Sequence, residues 1–162
     1  MTACCHRTAR AALAVLIGLA VGSPLHAQTE SADVEYVRAD ATRALGLPFS
    51  DLVRVGDVLY LSGRVGVRPG TLELVEGGIE AETREILDSM RALLAANGSS
   101  LDHVFKCTVM IADMGKWSRF NAVYVTYFDE ARLPARSALG ANGLALGASV
   151  ELECLATVAA TP

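Results

Sequence analysis

The sequence predicts an α+β domain, a mixed β-sheet with two helices packed on one face, and three features carry that prediction. The first is the order of elements. β-Rich runs stand at both ends of the domain, two helix-period segments lie between them, and a further strand separates the helices. The second is the last strand: Val150, Leu152, Cys154, Ala156 and Val158 make a continuous apolar face, whereas Glu151, Glu153, Leu155 and Thr157 make a mixed one. Two helices cover one face of such a sheet, so the other must meet water or another subunit. The third is the lack of any repeat period or internal linker, so that one domain accounts for the chain.

In order along the chain, residues 28–46 are polar and small and read as an N-terminal extension, a tether whose Val34–Val37 could serve as a short edge strand. Leu52–Val55 and Val58–Ser62 are β-rich runs joined by Gly56-Asp57, a two-residue hairpin signal. Arg64–Val67 continues as strand, and Pro69-Gly70 marks a turn. Ile79–Ala96 is the clearest helix. Ile79, Ile86, Leu87, Met90, Leu93 and Leu94 form one stripe, with Glu80, Glu82 and Glu85 expected on a solvated face. Asn97-Gly98 should stop it, because glycine takes the left-handed cap conformation cheaply. Val104–Ile111 alternates Cys107, Val109 and Ile111 against Lys106, Thr108 and Met110, the pattern of a buried strand. A second helix is expected from about Lys116 to Asp129, with Trp117, Phe120, Val123, Tyr124 and Tyr127 at helical spacing as core. The segment from Pro134 to Ala156 supplies the last two strands.

The N-terminus has the layout of a secretory signal peptide. Arg7 and Arg10 precede an apolar run, Ala11–Gly22, too short to span a bilayer, and the expected cut after Ala27 makes 1–27 the leader. A retained membrane anchor is the alternative. Without the leader, 12 basic side chains face 18 acidic ones, a formal charge of −6, which disfavours nucleic acid as a partner. Cys107 and Cys154 sit in apolar strand runs and are expected as buried free thiols. Export to an oxidising compartment keeps a disulfide open.

Past the leader His103 is the sole histidine, so neither a histidine-rich metal site nor a Ser-His-Asp triad can be assembled. No phosphate loop or dinucleotide fingerprint is present. What remains is Arg136, just after Pro134-Ala135, and Glu151 on the following strand. An arginine offers a planar fork to a carboxylate, and a glutamate on a neighbouring strand can position or activate water beside it. On spacing alone, a surface arginine and an exposed strand glutamate remain the other reading.

Several segments add to this: PFS at 48–50, VRVGDVLYLSGRVG, IEAETREILDSMRALLAANG, GSSLDHVFKCTVMIADM, FNAVYVTYF, PARS and VELECLA. With them, the stretch from about Leu47 to Val158 resembles the RidA/YjgF family, also called the endoribonuclease L-PSP family. The resemblance makes 47–162 the family domain and implies a chorismate mutase-like fold that assembles as a homotrimer with clefts at the subunit interfaces. It implies an enamine/imine deaminase that hydrolyses reactive 2-imino acids such as 2-aminoacrylate to 2-keto acids and ammonia, with no metal and no cofactor. Arg136 falls on the arginine that holds the substrate carboxylate, and Glu151 on the carboxylate that handles water. Ser62, Gly63 and Asn121 fall on cleft positions. Phe49 stands where a tyrosine is frequent, and Ala138 where some members have cysteine. The glycine-rich SALGANGLALGAS at 137–149 departs most from the family pattern. The expected partners are a small carboxylate or imine and further copies of the chain, in an exported, periplasmic or secreted protein with no stable membrane anchor. A non-catalytic carboxylate-binding or chaperone-like module and, less favoured, a ribonuclease are the alternatives.

Overall fold

The computed structural model describes residues 33–159, and the signal peptide expected at 1–27 lies outside them. The elements are β1 (Val34–Val37), α1 (Asp40–Ala44), β2 (Leu52–Val55), β3 (Val58–Leu61), β4 (Arg64–Val65), α2 (Ile79–Ala96), β5 (Val104–Ile111), α3 (Trp117–Tyr124), β6 (Ala135–Gly140) and β7 (Val150–Thr157). They build a mixed seven-stranded sheet in the order β1-β2-β3-β7-β5-β6, with β4 also paired to β7. Every pairing is antiparallel except β5 with β6. Parallel neighbours need a crossover, and α3 is that crossover.

Local chemistry accounts for the elements. The β2–β3 hairpin turns at Gly56, with φ +56°. Helix α2 buries Ile79, Ile86, Leu87, Met90 and Leu94, each worth about 1.5–3 kcal/mol on removal from water. It ends as expected: Gly98 at φ +71° lets Ser99 N–H return to the Leu94 carbonyl at 2.9 Å. Strands β5 and β7 present Cys107, Val109 and Ile111 with Val150, Leu152, Cys154 and Ala156 to the helices, the alternation read from the sequence.

Several expectations change. Val34–Val37 is the edge strand the sequence allowed, pairing with β2, but the rest of the extension is no loose tether: Asp51, 6% exposed, accepts from Ala39 N–H and Thr42 Oγ1 and pairs with Arg64 at 2.9 Å. Those bonds are tertiary, so a polar segment with no period of its own gave no sign of them. The strand begun at Arg64 stops at Val65, with Val67 making one bridge to Leu74. Helix α3 is shorter than expected and tightens into a 3-10 turn at Val125–Tyr127. Cys107 and Cys154 are joined in a disulfide rather than left as free thiols. They face each other across β5 and β7 with Cα atoms 4.1 Å apart, a register that no local pattern reveals. Among the described residues, no helix is long and apolar enough to cross a membrane.

Candidate functional site

Arg136 is the second residue of β6, in register with Cys107 of β5. Paired residues share a face, so its side chain enters the helix side of the sheet. There the guanidinium carbon lies 4.9 Å from the Trp117 ring centroid and 4.5 Å from that of Tyr124, both on α3. Its Nη1 is buried and has no hydrogen-bond partner among the described residues. Each of the other described arginines, from Arg38 to Arg132, donates a hydrogen bond or forms an ion pair, and Arg136 does neither. Asn121 lies on α3 between the two rings in sequence, and its Oδ1 is likewise buried without a partner. So is the Tyr124 hydroxyl, and burial pushes that phenol up to about 12, with the Arg136 charge pulling the other way. Ala138 follows Arg136 on the same face, in register with Val109, at the exposed sheet edge. A half-buried cation flanked by unpaired polar atoms, with no carboxylate paired to it, is suited to an anionic ligand.

Glu151 sits elsewhere. It is in register with Met110 of β5 and Val65 of β4, on the face opposite the helices. Its carboxylate lies against the backbone at Gly63, where an added Cβ would run into Oε1. Ser62 donates through Oγ to the Ser50 carbonyl at 2.6 Å and through N–H to the Asp51 carbonyl at 3.0 Å. Those two bonds fasten the segment carrying Phe49, 46% exposed, beside Ser62 and Gly63. The carboxylate, the glycine backbone and the phenyl ring thus belong to one group.

The seven predicted residues therefore fall into two separate groups, the half-sites of the reading below. Arg136, Asn121 and Ala138 make one, and Glu151, Gly63, Ser62 and Phe49 make the other. The expectation that the glutamate strand neighbours the arginine strand is corrected: β5 lies between β6 and β7, and the two side chains leave the sheet on opposite faces. Chain order places these strands in succession, and the parallel insertion of β6 at the edge separates them. A groove of about 620 Å³, lined by Arg54, Asp57, Asn97, Gly98 and neighbours, contains none of the seven.

Glu82 was missed. Expected on a solvated face, it is 4% exposed and accepts from Ser149 N–H at 2.7 Å and Ser149 Oγ at 2.8 Å. It thereby fixes the end of the glycine-rich loop two residues before Glu151. Its position between Ile79 and Ile86 on the buried stripe was the available signal. Among the described residues, no three of His, Cys, Asp and Glu cluster to hold a metal.

A family model described as endoribonuclease L-PSP matches residues 40–158. A 2-iminobutanoate/2-iminopropanoate deaminase from Mus musculus is 39% identical over 116 residues, 72% of this chain and 84% of the relative. Protein DfrA from Myxococcus xanthus is 36% identical over 118 residues, covering 72% and 88%. The crystal structure of a Rid-family protein, YyfA, from Yersinia pestis superposes with a TM-score of 0.71 at 32% identity, covering 78% of this chain and all of that one.

Proposed function

This chain belongs to the endoribonuclease L-PSP, or RidA/YjgF, family and has its fold, and from that premise we propose that it is a deaminase of reactive 2-imino acids. The observation that carries the proposal is Arg136, a half-buried cation with no anion of its own among the described residues, set against two rings with a buried Nη1 unused. A 2-imino acid brings the matching carboxylate, and a charge-assisted bond to the fork is worth about 1.5–3 kcal/mol.

The two half-sites point to a site completed by a second copy, in a homotrimer with clefts between subunits. In each cleft Arg136 and Asn121 come from one copy, and Glu151, Gly63 and Ser62 from the next. Arg136 holds the carboxylate. Glu151 orients water and takes its proton as oxygen adds to the imine carbon, giving a carbinolamine. Return of that proton to nitrogen lets ammonia leave, and Glu151 takes the hydroxyl proton as the carbonyl of the 2-keto acid forms. The imine carbon is electrophilic once its nitrogen is protonated, so the step draws on no metal or cofactor. A chain carrying the N-terminal leader acts outside the cytoplasm, and protein recovered from the periplasm or medium should begin at Gln28. Recovery of the full-length chain from the cytoplasm alone would contradict export.

A second reading, carboxylate binding without turnover, is favoured by Phe49, which brings no hydroxyl to the Glu151 side. The two are separated by supplying imino acids from an amino-acid oxidase and following loss of the imine. Turnover by the wild-type protein that Arg136→Ala reduces at least about 100-fold, the loss of roughly 2.7 kcal/mol of binding, supports the deaminase. A variant at the wild-type rate would refute the role given to Arg136. Calorimetric binding with no turnover of any imino acid would select the second reading. RNA cleavage, which the family description names, has the acidic surface against it.

A further inference from the structure

We propose that Trp117 and Tyr124 are positioning residues that clamp the Arg136 guanidinium, and that Trp117 emission reports whether a carboxylate occupies it. The proposal rests on the reading of Arg136 as a carboxylate anchor. Trp117, Asn121 and Tyr124 stand at i, i+4 and i+7 of α3 and share one stripe. Seven residues span about 10.5 Å of helix axis. The guanidinium carbon lies 4.9 Å from one centroid and 4.5 Å from the other, so the two rings lean toward one another to reach it.

The clamp answers a particular physical problem. A buried arginine is ordinarily balanced by an acid, as Arg64 is by Asp51. Such an acid consumes the in-plane N–H donors that a ligand needs. Aromatic faces give the cation favourable electrostatics without accepting its N–H donors as a carboxylate would. Arg91 also stacks on a ring, that of Tyr127 at 4.9 Å, but it is paired with Asp88 at 2.8 Å. Among the described residues, Arg136 is the arginine with two rings and no acid. The rings also hold a flexible side chain in one orientation before the ligand arrives, which lowers the ordering cost of binding. The aromatic stripe read as core thus has a second use at two of its positions.

Trp117 is the sole tryptophan of the chain, so its emission belongs to this site. A carboxylate seated on the guanidinium neutralises the charge beside the indole and changes that emission. The experiment titrates the purified protein with pyruvate, a 2-keto acid product, by fluorescence and calorimetry together, then repeats the calorimetry and the imine assay on four variants. Trp117→Leu and Tyr124→Leu should raise the pyruvate Kd and the KM about 5- to 30-fold, the range of a partly desolvated cation–ring contact, with kcat within about twofold. Trp117→Phe, which keeps an aromatic face, should restore KM to within about threefold of wild type. Leucine variants that unfold cooperatively and keep the wild-type KM would overturn the clamp. So would wild-type protein that binds pyruvate calorimetrically without a change in emission, a test that needs no variant to fold. Arg136→Ala separates the two readings: if it binds pyruvate as tightly as wild type, the anchor itself is wrong, and the clamp falls with it.

Discussion

At the scale of single residues, two half-buried arginines have opposite surroundings. Arg64 donates to Asp51 at 2.9 Å, and burial lowers its pKa while Asp51 pulls it back up. Arg136 has rings where Arg64 has an acid. The sequence marked Arg136 as a candidate through PARS, but its rings and its unpaired Nη1 depend on how β6 docks beneath α3. Tyr124 offers a test of that environment. Its folded pKa, about 12, lies above the ordinary value of 10.0 because the phenol is buried. A raised acid pKa means that the unfolded chain loses its proton first. The neutral phenol's contribution to stability is therefore whole below about pH 10 and lost as pH climbs through about 12. Tyr124→Phe should flatten that alkaline loss in urea titrations run from pH 8 to 12. An alkaline limb as steep as that of wild type would refute the burial argument.

At the scale of elements, the strands and helices with a strong local period were legible. The β2–β3 hairpin, α2 with its glycine cap, and the alternation of β5 and β7 all stand where their residues indicated. What was hidden is pairing. Parallel β6 adds at the edge beyond β5, and the Cys107–Cys154 disulfide follows from the β5–β7 register. Neither property is written in a window of neighbouring residues. The approach of Gly63 to Glu151 is of the same kind, and it yields a sharp expectation. A Cβ at 63 meets the mobile end of a side chain rather than backbone, and φ at this glycine is not positive. Gly63→Ala should leave thermal stability near wild type while displacing the Glu151 carboxylate, cutting kcat at least about tenfold, a barrier change of about 1.4 kcal/mol. A variant with unchanged kcat would show that the position of this carboxylate is immaterial.

At the scale of the molecule, the two faces of the sheet differ in what covers them. Helices cover one face of the sheet, and the other carries Tyr60 and Leu139, 46% and 47% exposed, beside Glu151. The two-sided sheet was foreseen from the mixed face of the last strand, which left water or another subunit to meet the second face. What the sequence could not reveal is that Arg136 and Glu151 leave the sheet on opposite faces, since that depends on the strand order. Mixing separately inactive variants tests the proposed shared site most directly. Arg136→Ala and Glu151→Gln should each be inactive alone. Unfolded and refolded together in equal amounts, they should regain about a quarter of the wild-type imine hydrolysis, because each mixed trimer would hold one interface with both native half-sites. Mixtures that form hybrid trimers, verified by native mass spectrometry, yet stay as inactive as their parents would contradict a site built from two chains.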